Sequence, residues 1–370
     1  MLQFRGLTVV PDPRPQRRAR LLRALAAHKA DAIVVSHLPN VRYLSGFTGS
    51  NGLWLLTPRA AILFTDPRYD IQASQECDCK VKVVAGSVWT SAVDEVKRRR
   101  VGRLALEAAH VRFEQWSAVA SSLGRGVKLA PVKDLVEGLR AVKSAGEIEA
   151  IRRSVALCSR AYESAIAQVK PGMTEFEVAA ALDHAMRLLG AEGPAFETIV
   201  AAGRRSALPH ARPTAARLKA NQLLLVDMGA NLDGYASDMT RVSHLGRPGR
   251  RARSLYQAVL EAQLAGIGAV RPGALCRDVD AAARKALRRS RLDKFFTHST
   301  GHGLGLEIHE SPRLGAKVET PLEPGMVVTV EPGVYQPEFG GIRIEDTVLV
   351  TETGVEVLTP TPKDFLVIAS

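Results

Sequence analysis

Two stretches of the chain, about a hundred residues apart, repeat one order of elements, and this repetition limits the possible folds more than any other feature. Each stretch predicts a helix, a Pro-Gly turn, a second helix and then an apolar strand. The first stretch contains Val169-Lys-Pro-Gly172, a helix start with a capping box at Thr174, and an apolar run at 223–228; the second contains a helix from about Ser254, Val270-Arg-Pro-Gly273, a helix at 277–289, and an apolar run at 327–330. Because Pro-Gly often follows a helix, coincidence is the alternative. The pattern favours a pseudo-twofold α+β domain with a site between its halves.

The first third of the chain has a different pattern, in which short apolar runs alternate with helical stretches. Residues 32–36 and 53–57 are typical of strands, and residues 17–29 of a helix. We therefore predict an α/β domain over 1–135 with a scaffolding or substrate-gating role, since no His, Asp and Glu cluster there. Periodicity lapses from Pro131 to Ser144, where a capping box with Glu147 predicts a long helix and the start of a second domain over 140–370.

Charge and cysteine usage narrow the class of protein. Fifty Lys and Arg against 38 Asp and Glu give a net charge of +12, which would permit a nucleic-acid partner. The basic runs at 97–100 and 288–289 lack interleaved aromatic residues, so we interpret them as solvated helix faces and expect no nucleic-acid partner. The cysteines form no disulfide framework, and Cys77-x-Cys79 is one residue short of the usual CxxC pair. With no leader-like pattern at Met1 to Gly6 and no long apolar run, we expect a cytoplasmic protein without a membrane span.

A predicted hairpin brings two carboxylates together. Asp233-Gly234 lies between two apolar runs and predicts a two-residue turn, which pairs Leu232 with Tyr235. Continuing that register places Asp238 opposite Gly229, so that Asp227 lies on the same face, diagonal to Asp238. Like charges on a buried strand pair are costly unless a cation or a proton lies between them. A metal ion is the natural solution, although an isolated pair of this kind could also be a strand end and a solvated edge.

Three of the nine histidines lie within the twelve residues from His298 to His309, among several glycines. The seven-residue interval from His302 to His309 differs from the spacing of a helical zinc motif, so one histidine could bind metal while the other contacts substrate. The glycines at 301, 303 and 305 do not match a phosphate-binding GxGxxG pattern, and no Walker lysine accompanies them.

Two further carboxylates end or interrupt apolar strands. Glu331 follows the run at 327–330, and Glu345 shares a strand face with Arg343. Two Asp, one His and two Glu make an oxygen-rich ligand set that suits hard to borderline divalent ions such as Mn, Co or Zn, and four carboxylates are too many for one open zinc site. We therefore predict two ions that activate a water and polarise a carbonyl, which makes amide hydrolysis the leading chemistry.

These residues stand in motifs with a fixed order: GYASDMTR at 234–241, GHGLGLEIHE at 301–310, VEPGVY at 330–335 and GIRIED at 341–346. The order resembles the pita-bread metallopeptidases of family M24, in the branch of Xaa-Pro dipeptidases (prolidases) and aminopeptidases P. The resemblance covers about residues 140–360, and the first third resembles the creatinase-type N-terminal domain of that branch. It implies a pita-bread catalytic domain preceded by an α/β domain, two divalent ions with manganese favoured, and a homodimer.

The resemblance also implies a role for each site residue. Asp227 would chelate one ion, Asp238 and Glu345 would bridge both, and His302 and Glu331 would complete the shell of the second, with Glu331 also accepting a proton from water. His210 and His309 match the substrate histidines, His298 a position behind a ligand or in the substrate pocket, Arg343 a basic residue beside a metal carboxylate, and Arg313 the arginine that takes the free carboxylate of a dipeptide. We therefore expect Glu331, His210 and His309 to be catalytic, and His298, Arg313 and Arg343 to bind substrate.

Small peptides with proline in the second position are therefore the expected substrates, and Arg313 favours an Xaa-Pro dipeptidase. Two alternatives remain open on the sequence. One is an aminopeptidase P, which would release the first residue of longer Xaa-Pro peptides. The other is a binding module of the same fold without catalysis.

Overall fold

A computed structural model describes residues 13–369 of the chain. Within this range the chain divides into two compact units, and the division falls between Arg140 and Ala141. The opening residues Met1 to Gly6, on which the expectation of no leader rests, lie outside the described residues. Among the residues that are described, no helix is both long and apolar enough to cross a membrane.

The first unit is a mixed sheet with helices against it. The sheet has the strand order β4-β3-β2-β1-β5-β6, in which β1, β5 and β6 are parallel neighbours. The strands predicted at 32–36 and 53–57 and the helix predicted at 17–29 are present as β1, β2 and α1. The elements are α1 (Arg14–Ala27), β1 (Ala32–Val35), α2 (Leu38–Ser45), β2 (Gly52–Thr57), β3 (Ala60–Thr65), α3 (Asp70–Glu76), β4 (Lys80–Val83), α4 (Val88–Arg98), β5 (Arg103–Glu107), α5 (Phe113–Leu123), β6 (Lys128–Val132) and α6 (Leu135–Ala141).

The stretch from Pro131 to Ser144, where the sequence shows no periodicity, contains regular structure. The end of β6 and the whole of α6 lie within it. A helix of only two turns shows too few apolar positions to reveal a period. In α6, Val136 is fully buried. Arg140 is also buried, and its Nη1 donates to Asn40 Oδ1 at 2.6 Å.

The second unit combines four described helices with several sheets that are mostly antiparallel. Its helices are α7 (Ala145–Ile166), α8 (Glu175–Leu188), α9 (Arg250–Ala269) and α10 (Cys276–Arg289). Its strands are β7 (Gly193–Pro194), β8 (Ile199–Ala202), β9 (Gln222–Met228), β10 (Ala230–Leu232), β11 (Tyr235–Ala236), β12 (Met239–Leu245), β13 (Gly301–Gly303), β14 (Glu310–Leu314), β15 (Val327–Val330), β16 (Gly333–Gln336), β17 (Gly340–Arg343), β18 (Asp346–Val350), β19 (Val355–Val357) and β20 (Val367–Ile368).

Both predicted capping boxes are present at helix starts in this unit. Glu147 Oε2 accepts from the backbone N–H of Ser144 at 3.0 Å, at the start of α7. At the start of α8, Thr174 and Glu177 exchange the two reciprocal bonds, at 2.6 and 3.1 Å. These bonds satisfy backbone donors that the first turn of a helix leaves unpaired.

The repeat inferred from the sequence is present in the structure. In the turn after α7, Gly172 has φ +93° and its N–H donates to Leu218 O at 2.8 Å. In the turn after α9, Gly273 has φ +76° and its N–H donates to Leu322 O, also at 2.8 Å. A positive φ is the conformation that only glycine adopts without strain, which explains the Pro-Gly at both places.

The sheets of the two halves correspond as well. One sheet has the order β20-β12-β9-β8 and another β14-β13-β15-β18-β19, so that β8-β9-β12 in the first half matches β13-β15-β18 in the second. A hairpin follows each middle strand, β10–β11 after β9 and β16–β17 after β15. The second unit is therefore built from two similar lobes, as the sequence predicts.

Within each half, the middle strand packs one face on its own helix pair. Val226 of β9 belongs to a core cluster with Leu157 and Leu182 of α7 and α8. Val328 and Val330 of β15 belong to a cluster with residues of α9 and α10. Because side chains alternate along a strand, the opposite faces of β9 and β15 are free to carry other groups.

Candidate metal centre

The hairpin after β9 has the register that the sequence predicts. Leu232 pairs with Tyr235 across the turn, and Asp227 pairs with Thr240 further along, so both ladders follow one register. Between them, Asp238 lies opposite Gly229, where the ladder is interrupted. A Cβ on Gly229 would stand 2.0 Å from the backbone oxygen of Ser237, so the close approach requires glycine there.

In the second half of the repeat, two carboxylates also lie at the ends of neighbouring strands. Glu331 directly follows β15, at the position that Asp227 holds near the end of β9, and Glu345 directly precedes β18. Val330 pairs with Asp346, which brings the two glutamates to neighbouring strands at one end of the sheet. Asp227 and Glu331 each lie next to a residue that faces the helices of its own half. Because side chains alternate along a strand, both carboxylates lie on the face opposite the helices.

His302 lies in the middle of β13, between β14 and β15. Its Nε2 is 3.6 Å from Asp238 Oδ2 and 3.5 Å from Glu331 Oε1. Its Nδ1 lies 3.0 Å from the backbone oxygen of Gly303, a contact that places the ring proton on Nδ1 and leaves the lone pair of Nε2 directed at the carboxylates. One histidine thus joins carboxylates from both halves.

The arrangement fits a divalent metal ion. Asp238, His302 and Glu345 each offer a ligand atom, and these atoms lie within 4.8 Å of one another; no other such group occurs in the part of the chain that is described. Asp227 Oδ1, Asp238 Oδ1 and Glu345 Oε1 are buried without a hydrogen-bond partner. Buried carboxylate oxygens without a donor are costly, and a cation removes that cost.

The electrostatics of the ligand atoms agree with that conclusion. Burial raises the pKa of Asp238 and Glu345 well above the ordinary values, and the neighbouring carboxylates raise both pKa values further. Burial likewise raises the pKa of Glu331 to about 8, against the opposing charge of Arg343. Burial lowers the pKa of His302 to about 4, so the ring is neutral, which is the form that binds metal. A bound cation would oppose these shifts and favour the ionised carboxylates.

Arg343 and Thr240 hold the carboxylates in place. Arg343 is buried, and its Nη2 donates to Asp227 Oδ2 at 2.5 Å while its Nε donates to Thr240 Oγ1 at 2.9 Å. Thr240 Oγ1 in turn donates to Glu345 Oε2 at 2.6 Å. Arg343 and Glu345 therefore lie on the same face, as the alternation of side chains along a strand predicts. The hydroxyl of Thr240 contacts both of them.

A histidine cluster lies beside the ligands. The rings of His302 and His309 are 4.3 Å apart between centroids, and His309 is exposed. Burial lowers the pKa values of both His298 and His309, and the charge of Arg343 lowers that of His298 further. His210 interacts with both rings and is itself exposed. The structure thus brings together the three histidines that were predicted to contact or support substrate.

His298 is held by protein atoms on both ring nitrogens. Its Nδ1 lies 2.9 Å from Ser299 O, and its Nε2 lies 2.8 Å from the hydroxyl of Tyr335. The same hydroxyl receives a hydrogen bond from Arg343 Nη1 at 2.7 Å. His298 is therefore linked to Asp227 through Tyr335 and Arg343.

The loop that carries His210 is fixed at two points. Arg205 Nε donates to the fully buried Glu175 at 3.0 Å, and its Nη2 donates to Arg212 O at 2.7 Å. Arg343 Nη1 also donates to Pro209 O at 3.2 Å, directly before His210. The loop is thereby tied both to α8 and to the carboxylate network.

Arg313 lies directly across from His302. The two residues are partners in the β13–β14 ladder, so their side chains leave the same face of the sheet. Arg313 is exposed, and its Nε donates to Ser299 Oγ at 3.0 Å. The guanidinium thus lies beside the centre and open to solvent.

Sequence reasoning assigned no role to Thr240 or Tyr335, which the structure places inside the site. Thr240 lies two residues after Asp238, so the alternation of a strand would have placed it on the same face. Tyr335 is separated from Glu331 by a Pro-Gly and a new strand, and its contacts with His298 and Arg343 could not be anticipated without the tertiary fold.

The two-lobed α+β unit with a buried, carboxylate-rich and histidine-containing centre defines a metal-dependent hydrolase. Residues 149–352 match the model of metallopeptidase family M24, and residues 17–142 match the creatinase/prolidase N-terminal domain. The chain belongs to metallopeptidase family M24.

Relatives named for a peptidase activity are similar over nearly the whole chain. The Xaa-Pro dipeptidase of Pyrococcus furiosus is 33% identical over 95% of this chain and 99% of its own length. The solved structure of an Xaa-Pro dipeptidase from Bacillus anthracis is 36% identical with a TM-score of 0.93, covering 96% of this chain and 99% of that one. The X-Pro aminopeptidase from Thermotoga maritima is also 36% identical, with a TM-score of 0.88 and coverage of 94% and 100%.

Proposed function

We propose that this chain hydrolyses the Xaa-Pro bond of dipeptides with the help of two divalent metal ions. The observation that carries the proposal is the set of buried carboxylate oxygens without partners on Asp227, Asp238 and Glu345, next to the neutral His302. Xaa-Pro dipeptidases among the relatives, similar over nearly the full length, support this substrate class.

The ligand set suits two ions, of which manganese is the first candidate and cobalt or zinc the alternatives. Asp227, Asp238, His302, Glu331 and Glu345 would hold the ions, with Asp227 serving one ion, His302 and Glu331 the other, and Asp238 and Glu345 shared between them. A bound pair of divalent ions supplies an activated water and polarises the scissile carbonyl.

Glu331 would accept a proton from the water that the ions activate. In the protein without metal, burial raises the pKa of this carboxyl to about 8, so its surroundings favour the protonated form. Thr329 Oγ1 lies 3.5 Å from Glu331 Oε1 and orients it.

The histidines meet the particular demands of proline. A bond to proline is a tertiary amide without N–H, and its ring nitrogen must be protonated as it departs. His210 and His309 are exposed beside the centre, where they contact the scissile carbonyl and the proline side of the bond. His298 and Arg343 were expected to bind substrate, but their polar atoms are engaged by protein partners, and we therefore assign them to positioning.

Arg313 favours a dipeptidase over an aminopeptidase P. Its exposed guanidinium beside His302 suits a forked contact with the free carboxylate of a dipeptide, which a longer peptide would not present at that place. Aminopeptidase P activity is the second candidate, because the X-Pro aminopeptidase of Thermotoga maritima is as similar in sequence as the dipeptidase of Bacillus anthracis.

The test compares Ala-Pro with Ala-Pro-Xaa peptides after the protein has been reconstituted with manganese. We expect faster hydrolysis of Ala-Pro, and we expect Arg313→Ala to raise KM for Ala-Pro at least tenfold while Arg313→Lys raises it less. Faster hydrolysis of the longer peptide would contradict the dipeptidase assignment and favour an aminopeptidase P.

Asp238→Asn tests the centre itself, because the amide keeps the shape of the side chain and removes the bridging charge. We expect loss of at least about a thousandfold in kcat/KM, with a folded protein by circular dichroism. Full activity after this substitution would refute the metal-dependent mechanism.

We further propose a cytoplasmic homodimer that does not bind nucleic acid, and light scattering in solution tests the dimer. The contacts of the basic runs support the absence of a nucleic-acid partner, since Arg98 and Arg99 pair with Glu95 and Arg288 pairs with Asp293. Salt-dependent binding of a duplex near physiological ionic strength would contradict that part of the proposal.

A further inference from the structure

Residues 296–300, the segment directly before β13, are held by an ion pair on α10. Asp280 is buried, and Arg284, one turn later, donates to its Oδ2 at 2.7 Å. Arg284 also donates to two backbone oxygens of the segment, at 2.9 and 2.6 Å. Asp280 Oδ1 accepts from the N–H of Thr300 at 3.2 Å and from its hydroxyl at 2.9 Å. The segment is therefore fixed to α10 at both ends.

Ser299 lies within this segment and contacts two residues of the site through different atoms. Its backbone oxygen lies 2.9 Å from His298 Nδ1. Its hydroxyl oxygen accepts from Arg313 Nε at 3.0 Å, and the side chain is half-buried. Because the segment is fixed, the hydroxyl offers the exposed Arg313 an acceptor at a defined place.

This contact leaves one edge of the guanidinium available. An arginine presents five N–H donors in a planar fork, and the Nε donor of Arg313 is engaged by Ser299. Among the residues that the structure describes, no hydrogen bond or ion pair engages Nη1 or Nη2 of Arg313. Two neighbouring N–H groups of this kind match the two oxygens of a carboxylate.

A long side chain loses conformational freedom when it binds a ligand, and this loss weakens binding. A side chain that the protein already holds in the bound orientation loses less. The hydroxyl of Ser299 can reduce the loss for Arg313 without touching the ligand itself.

We propose that Ser299 is a positioning residue for substrate specificity, which holds the Arg313 guanidinium so that Nη1 and Nη2 receive the free carboxylate of an Xaa-Pro dipeptide. This inference rests on the proposed function, in which Arg313 binds that carboxylate. Ser299 acts only through Arg313, so it strengthens the binding of substrates that carry the carboxylate and of no others.

The experiment compares Ala-Pro with Ala-Pro-amide, which lacks the terminal charge, on the full-length protein reconstituted with manganese. In Ser299→Ala we expect KM for Ala-Pro to rise about two- to tenfold, the effect of losing one hydrogen bond, while kcat changes little. We expect the kinetics with Ala-Pro-amide to stay the same. Ser299→Thr keeps a hydroxyl and should restore a KM close to that of the wild type.

Binding of the product gives a readout without catalysis. In calorimetric titrations we expect Ser299→Ala to bind proline about two- to tenfold more weakly and prolinamide as the wild type does. Ser290→Ala removes an exposed hydroxyl just after α10 and is the matched control, for which we expect no change in either titration.

The variants of Arg313 separate this inference from the proposed function. Adding Ser299→Ala to Arg313→Ala should cause no further loss, because no guanidinium is left to hold. If Arg313→Ala reduces the preference for Ala-Pro over Ala-Pro-amide but Ser299→Ala does not, or if the double variant loses more, the inference fails and the role of Arg313 stands. If Arg313→Ala leaves the preference unchanged, or the wild type shows none, both fail.

Discussion

At the metal centre, each of three side chains has one atom held by the protein and another atom left for a ligand. Asp227 accepts from Arg343 on Oδ2 and has no partner on Oδ1, and Glu345 accepts from Thr240 on Oε2 and has none on Oε1. His302 contacts Gly303 O through Nδ1 and directs Nε2 at the carboxylates. The protein partners fix the orientation of each group before a cation arrives, which is the usual function of hydrogen bonds behind metal ligands.

Thr240 offers the sharpest test of that arrangement. Thr240→Val keeps the shape of the side chain but removes the hydroxyl between Arg343 and Glu345, and loss of such a hydrogen bond costs about 10- to 100-fold in metal affinity. We expect this weakening by calorimetric titration with manganese, together with a similar loss of activity. Thr240→Ser retains the hydroxyl and should stay close to the wild type. Equal affinity in Thr240→Val and the wild type would mean that the hydroxyl does not position Glu345.

His298 makes the folded protein sensitive to acid. Burial lowers the pKa of His298 to about 4 from the ordinary histidine value of 6.5, so the unfolded chain binds more protons between these two values. The stabilisation by the neutral ring is complete above the unfolded pKa and is lost as the pH falls toward the folded pKa. From about pH 7 to about pH 5 this amounts to about 2 kcal/mol in the free energy of unfolding.

Urea unfolding of the wild type and of His298→Gln, both in chelator at the two pH values, measures this contribution. We expect the variant to lose about 2 kcal/mol less than the wild type, since glutamine does not titrate. His302 shifts in the same direction in both proteins and cancels in the comparison. An unchanged pH dependence in the variant would contradict the prediction.

At the scale of elements, the position of the centre follows from the way that helices pack on strands. Gly266 of α9 faces Val330 of β15, the residue before Glu331, and the helix approaches the strand closely because this residue has no side chain. A Cβ on Gly266 would stand 2.9 Å from Val330 Cγ1, and a valine branch has little freedom to move. The packing of α9 against β15 therefore helps to fix the position of the strand that ends at Glu331.

The same helix contains a matched control. Gly266→Ala should destabilise the protein by about 1–3 kcal/mol through overpacking. Gly268→Ala places its Cβ in open space on the exposed face of α9 and should stabilise by up to about 1 kcal/mol through helix propensity. Thermal unfolding of both variants checks the difference in sign. Similar melting temperatures would show that α9 can shift away from β15 without cost.

At the scale of the whole molecule, the two lobes of the second unit meet through their ligands. Asp227 and Asp238 come from the first half of the repeat, and His302, Glu331 and Glu345 come from the second. A cation bound to both sets therefore holds two sheets together, and metal binding becomes part of the stability of this unit.

Hydrogen exchange measures that coupling. At free manganese about a hundredfold above Kd, binding to the folded state adds about 2.7 kcal/mol to the free energy of unfolding. We expect slower exchange in β9, β12, β15 and β18 with manganese than with chelator, and no such difference in Asp238→Asn. Protection confined to one half of the repeat would show that the ions do not join the two lobes.

Several features of the fold and the site were available from sequence because they depend on near neighbours in the chain. Capping boxes, the Asp233-Gly234 turn and the register that follows it involve residues only a few positions apart, and each is present in the structure. The carboxylates were recognisable because charge in an apolar strand needs a partner. The short helix α6 was missed, since two turns carry too few apolar positions to show a period.

The tertiary structure alone decided which atoms meet. Thr240 contacts Glu345 and Arg343 contacts Asp227 across more than a hundred residues of chain, and Tyr335 joins His298 to Arg343. Such contacts depend on how sheets and helices pack in three dimensions, which no local pattern encodes, whereas turns, caps and strand alternation depend on the backbone geometry of a few consecutive residues.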